Sequence, residues 1–125
     1  MIINNMSVVK VRDILLVTIP GDPDDQSVSA LQRTLLQALE KYESKGVILD
    51  LSQVNTLDSY FARTIVETAQ MVALMGGQTI FAGMQVGVAI TATQLGLSLD
   101  NLQSALTVDL ALDELEKPGP RSERS

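Results

Sequence analysis

The sequence predicts an α/β fold: one mixed β-sheet with helices packed on it, in the order ββαβαβαβα. Three observations carry this. Short apolar runs alternate along the chain with longer stretches whose apolar residues recur at helical spacing. The interior has to be aliphatic, because 46% of residues are hydrophobic and only 3% aromatic, and such a core suits a helix-covered sheet better than a sandwich. The first two apolar runs are separated only by a tight turn, which places an antiparallel hairpin ahead of the alternating units. At 125 residues the chain has the size of one domain, assigned to residues 1–116, with residues 117–125 as a tail.

Taken in order, Ser7 to Val11 alternate modestly, Asp13 makes a turn, and Ile14 to Ile19 form a continuous apolar run that reads as a central strand. Pro20 to Asp25 (PGDPDD) cannot continue a ladder or a helix. A helix starts near Asp24 or Asp25, where acidic residues suit the positive end of the helix dipole. Val28, Leu31, Leu35, Leu39 and Tyr42 form its inner face, and Gly46 is expected to stop it. Val47 to Leu51 is a short buried strand, which Val54 to Leu57 extend or flank. A second helix begins near Asp58, with Phe61, Ala62, Ile65, Val66, Ala69, Val72 and Ala73 inward, and ends at Gly76-Gly77. Thr79 to Ala82 is the next strand. Val86 to Leu95 is a third helix, apolar enough to predict that it is largely buried. Ala105 to Val108 reads as an edge strand, Asp109 to Glu116 as a last helix, and the tail KPGPRSERS as disordered.

Composition narrows the chemistry. The chain has no cysteine and no histidine, so Ser-His-Asp and Cys-His catalysis and an ordinary zinc site are excluded. A small enzyme would have to work with Asp, Glu, Lys or Tyr in a deep polar pocket, and no nucleotide-cradling glycine motif accompanies them. The net charge of −6 argues against nucleic acid as a partner. No signal peptide is evident, and no apolar stretch approaches the roughly 20 residues of a membrane helix, so the default expectation is a cytoplasmic protein without a membrane role. Asp22, Asp24 and Asp25 share one loop, but without the spacing of a calcium loop they read as a solvated, helix-capping turn rather than a metal site. No cofactor is expected. Asp50, within VILDLS, either points to solvent or bonds to a neighbouring turn.

The segment leading from the VILDL strand through a polar turn into Asp58-Ser59 combines two properties. Both residue types are preferred helix caps, and the sequence leaves open which of them caps. A hydroxyl at a helix start is also accessible to a kinase. A phosphate there adds about −1.5 to −2 charge, which the helix N-terminus tolerates. Beside Asp58, each like-charge pair at ~4 Å costs about 1 kcal/mol in water and about 4 kcal/mol at an intermediate dielectric, enough in sum to break a marginal complex.

These residues resemble a known family. GVILDLSQVNTLDSYFARTI is similar to the signature of the STAS domain, the fold of the bacterial anti-sigma factor antagonists: strand, Asp-Leu, polar turn, Asp-Ser, helix. DILLVTIPGDPDDQS and MVALMGGQTIFAGMQVGVAITATQLGL resemble, within that family, the small RsbS-like scaffold proteins of the stressosome. The resemblance spans about Val8 to Leu115. It implies a non-catalytic scaffold that forms a homo-oligomer, assembles with paralogous sensor STAS proteins of the RsbR kind and sequesters a serine kinase of the RsbT type. It further implies that the kinase phosphorylates Ser59 and is thereby released, and that a cognate phosphatase resets the serine. Asp24, Asp25, Gln26, Asp58 and Ser59 are then the partner-binding residues. Paralogues carry a second phosphorylated threonine near Thr91, where the other reading is a hydroxyl bonded back to its own helix. The alternative function within the family is a sporulation-type antagonist that binds an anti-sigma kinase directly.

Overall fold

The computed structural model describes residues 2–3, 6–96 and 103–116; the tail assigned to residues 117–125 lies outside them. Strands β1 (Ile2–Ile3), β2 (Met6–Val11) and β3 (Ile14–Thr18) lead into helix α1 (Asp25–Lys41). There follow β4 (Gly46–Asp50), α2 (Ser59–Leu74), β5 (Gln78–Ala82), α3 (Val86–Gln94), β6 (Gln103–Ala105) and α4 (Val108–Glu116). From β2 onward this is the expected order on a mixed sheet. The addition is β1, whose two residues are too few to show any periodicity.

The six strands lie side by side in chain order. β1, β2 and β3 pair antiparallel, and β3, β4, β5 and β6 pair parallel. In register, Leu16, Ile48 and Ile80 form one row across the sheet, and Val17, Leu49 and Phe81 the next. Successive side chains of a strand face opposite ways, so these rows serve different layers. Leu15, Val17, Val47, Leu49 and Phe81 join Val28, Leu35, Phe61, Ile65 and Val72 in the main core, under α1 and α2. Ile14, Ile48, Ile80 and Ala82 pack with Ala111 of α4 on the other face. Burial on both faces is why the central strands read as unbroken apolar runs.

Five local expectations are corrected. α1 ends at Lys41 rather than at Gly46: Tyr42 is its C-cap, and Glu43 turns the chain with φ 52°. Tyr42 is therefore exposed, its ring under Lys10 and Lys41 with ammonium-to-centroid distances of 5.6 and 5.4 Å. Gly46 opens β4 instead, where a Cβ would stand 2.9 Å from Leu115 Cδ1. In α2, Ala73 is exposed and Val66 half-buried, whereas Thr64 and Thr68 are buried. Gln32 of α1 donates to Thr68 Oγ1 at 2.9 Å, and Thr68 Oγ1 donates to the Thr64 carbonyl at 2.7 Å, so the seam between the helices is polar but satisfied. α3 is not largely buried: Val88 and Ala92 are its buried residues, while Val86 and Ile90 are exposed. A single i, i+4 contact stripe holds it to the core. The edge strand lies at Gln103–Ala105 rather than Ala105–Val108, because Thr107 Oγ1 accepts the Leu110 N–H and starts α4 at Val108.

Candidate functional site

Parallel strands end at the same edge of a sheet, so the loops leaving β3 and β4 must emerge side by side. Here they are joined. Asn55 N–H donates to the Gly21 carbonyl at 3.1 Å, and Thr56 Oγ1 donates to Asp22 Oδ1 at 3.4 Å. Gly21 permits this approach: a Cβ there would lie 2.9 Å from Asn55 Nδ2 and 3.2 Å from the Gln53 carbonyl oxygen. Asp50 accepts the Ser52 N–H at 3.0 Å, which settles its role as the start of the turn out of β4. Gln85 Nε2 donates to the Ser52 carbonyl at 2.9 Å and ties the start of α3 to the same turn. Val54 and Leu57 do not extend the strand; both are buried and anchor the loop.

The two helices that leave this edge begin alike. Asp24 Oδ1 accepts the Ser27 N–H at 2.7 Å and caps α1. Asp58 Oδ1 accepts the Phe61 N–H at 2.7 Å and caps α2. The hydrogen bonds from Ser27 hold the Asp24 carboxyl below its ordinary pKa. With Asp58 as the cap, Ser59 is the first residue of α2; it is exposed, and its hydroxyl has no hydrogen-bond partner among the described residues. Ser29 Oγ of α1 is hydrogen-bonded to Tyr60 OH, so the two helix starts stand side by side.

Asp24, Asp25 and Gln26 are exposed at the start of α1, and Asp58 and Ser59 at the start of α2. The fold thus gathers the five residues singled out from the sequence at one edge, with Asp22 beside them. Thr91 lies apart, half-buried in α3, and its hydroxyl donates to the Gly87 carbonyl at 3.0 Å. Among the described residues no three of His, Cys, Asp or Glu are grouped to hold a metal ion, and no helix is long and apolar enough to cross a membrane.

Sequence reasoning overlooked the groove into which Ser59 opens. About 430 Å³ in volume, it runs along α2 past Arg63, Val66 and Glu67 and reaches Leu95 and Gly96 after α3. The spacing of four from Ser59 to Arg63 was visible in the sequence, but the α3 end of the groove was not.

The chain belongs to the STAS domain family, whose profile matches residues 5–111. Among solved structures it is similar to a serine-to-glutamate variant of RsbS from Moorella thermoacetica, with a TM-score of 0.81 and 29% identity over 96% of this chain and 98% of that one. It is also similar to a chain in the molecular architecture of the stressosome, with a TM-score of 0.79 and 32% identity over 88% of this chain and 96% of that one. The RsbT co-antagonist protein RsbRA of Bacillus subtilis (strain 168) is 26% identical over 91 residues, which are 73% of this chain and 33% of that protein. The chain therefore spans about a third of that curated relative's length. Fold and likeness together support a stressosome-type STAS protein.

Proposed function

We propose that this chain is a non-catalytic cytoplasmic scaffold of a stressosome-type assembly, which holds a serine kinase and lets it go when Ser59 is phosphorylated. The observation that carries the reading is the division of labour at the start of α2: Asp58 caps the helix, which leaves the Ser59 hydroxyl exposed and unpaired among the described residues. In the transfer, Ser59 Oγ attacks the terminal phosphorus of the kinase's nucleoside triphosphate. The hydroxyl proton passes to a base on the kinase, and the diphosphate leaves.

The helix survives this change. Modification removes no capping bond, and a dianion at the first turn is favoured by the helix dipole and the free N–H groups there. The surface does not stay the same. Phosphate joins Asp58 and the carboxylates of Asp22, Asp24 and Asp25 on the neighbouring loop, and repulsion of a partner's acidic groups rises with each. Similarity to RsbS and to a chain of the stressosome supports RsbR-like paralogues and further copies of this chain as assembly partners. The kinase and the phosphatase that resets Ser59 belong to the same reading.

Incubation with the partner kinase and ATP, followed by mass spectrometry of the intact chain and its peptides, tests this. One phosphate on Ser59 and none on Ser59→Ala is expected. Direct binding of the unmodified chain to a sporulation-type anti-sigma kinase in a pulldown, without a large assembly, would favour the simpler antagonist.

A further inference from the structure

Ser59 and Arg63 stand one helical turn apart on α2, are both exposed, and line the same groove. Side chains on a helix lean toward its N-terminus, so a residue covers the surface over the preceding turn. The patch that Arg63 covers is the one around Ser59. Among the described residues Arg63 is the sole cation lining the groove, and it makes no ion pair or hydrogen bond. Its available carboxylate is Glu67, four residues further on. Base-before-acid is the weaker order at that spacing, which accounts for the unmade pair.

A phosphate on Ser59 reverses the order. Acid then precedes base by four residues, the arrangement the helix dipole favours, and the acid carries about −1.5 to −2 charge with oxygens suited to a bidentate guanidinium. We infer that Arg63 is the phosphate clamp of the switch: it draws phosphoserine 59 along α2 into the mouth of the groove between α2 and the end of α3. The inference rests on Ser59 being the modified residue. It changes what a partner meets: the phosphate is held at the mouth of the groove beside Asp58, and because one guanidinium offsets at most one of its charges, the edge still gains negative charge. A carboxylate at position 59, with one charge and a planar pair of oxygens, reproduces this incompletely.

The test uses the full chain with phosphoserine installed at position 59 during synthesis, together with the same protein carrying Arg63→Gln or Arg63→Lys. The phosphate is titrated by phosphorus NMR at low salt. Asp58, Glu67 and the N–H groups of the first turn also face the phosphate, and they are common to all three proteins. The second ionisation is expected about 0.5 unit lower with Arg63 than with Gln, with Lys between them, and the gap should close near 1 M salt. Superimposable titrations of the Arg and Gln proteins would overturn the clamp. Because the phosphate is installed without a kinase, failure of the underlying reading looks different: the kinase would leave Ser59 of the ordinary chain unmodified while the titration difference persisted.

Discussion

Asp58 and Ser59 are adjacent, yet they do different work. Asp58 satisfies an otherwise unpaired N–H at the start of α2, so Asp58→Ala should cost about 1 kcal/mol of stability. Ser59→Ala removes no hydrogen bond and should fall within about 0.5 kcal/mol of the parent. Urea unfolding of the two variants measures the contrast, and equal losses would mean that Ser59 shares the cap. The matching cap on α1 adds a pH dependence. Hydrogen bonds from Ser27 depress the Asp24 pKa in the folded state, so their stabilisation is fully present above the ordinary carboxylate value of about 3.9 and is lost as pH falls through the lower folded value. In Asp24→Asn the cap does not titrate. Thermal melting should therefore show the difference between parent and variant changing below about pH 4 and flat above it. Asp58 and Ser59 were both visible in the sequence as cap types, but only the geometry assigns the cap to one and frees the other.

At the scale of elements, the strands and the two long helices were legible because the sheet is covered on both faces. That makes β3, β4 and β5 continuous apolar runs and gives α1 and α2 clear inner stripes. What stayed hidden has physical causes. β6 presents Gln103 and Ser104, polar residues on an edge, where no apolar run marks a strand. α3 is apolar but touches the core through one stripe, so composition overstated its burial. Thr64 and Thr68 are buried because Gln32 satisfies their seam, a pairing 32 to 36 residues apart that no local window shows. Gly46 looked like a helix stop and is a packing position. Gly46→Val should overpack against Leu115 and destabilise by about 1–3 kcal/mol, measured by the urea midpoint. Adding Leu115→Ala opens room for the valine, so the double variant should lose less than the sum of the two single losses; strict additivity would mean that the two side chains do not meet.

For the whole molecule, strand order places the candidate site. β3 and β4 are parallel neighbours, so the turns into α1 and α2 leave one edge together, and Gly21–Asn55 and Asp22–Thr56 lock them side by side. The order of strands and helices puts the Asp-Asp-Gln loop and the Asp-Ser helix start at one end of the sheet, but only the structure shows that they adjoin. The groove running from Ser59 past Arg63 to Leu95 likewise exists only once α3 is in place. In the proposed function the chemistry is performed on this chain by a partner. The measurement that bears most directly on that view follows the kinase and the phosphate together. The chain, an RsbR-like paralogue and the kinase are mixed, ATP is added, and sedimentation of the kinase is recorded while phosphopeptides are mapped. The switch predicts phosphate on Ser59 in step with loss of the kinase from the assembly, and neither event in Ser59→Ala. Phosphate found elsewhere with Ser59 untouched, or kinase released from the Ser59→Ala assembly, would contradict it.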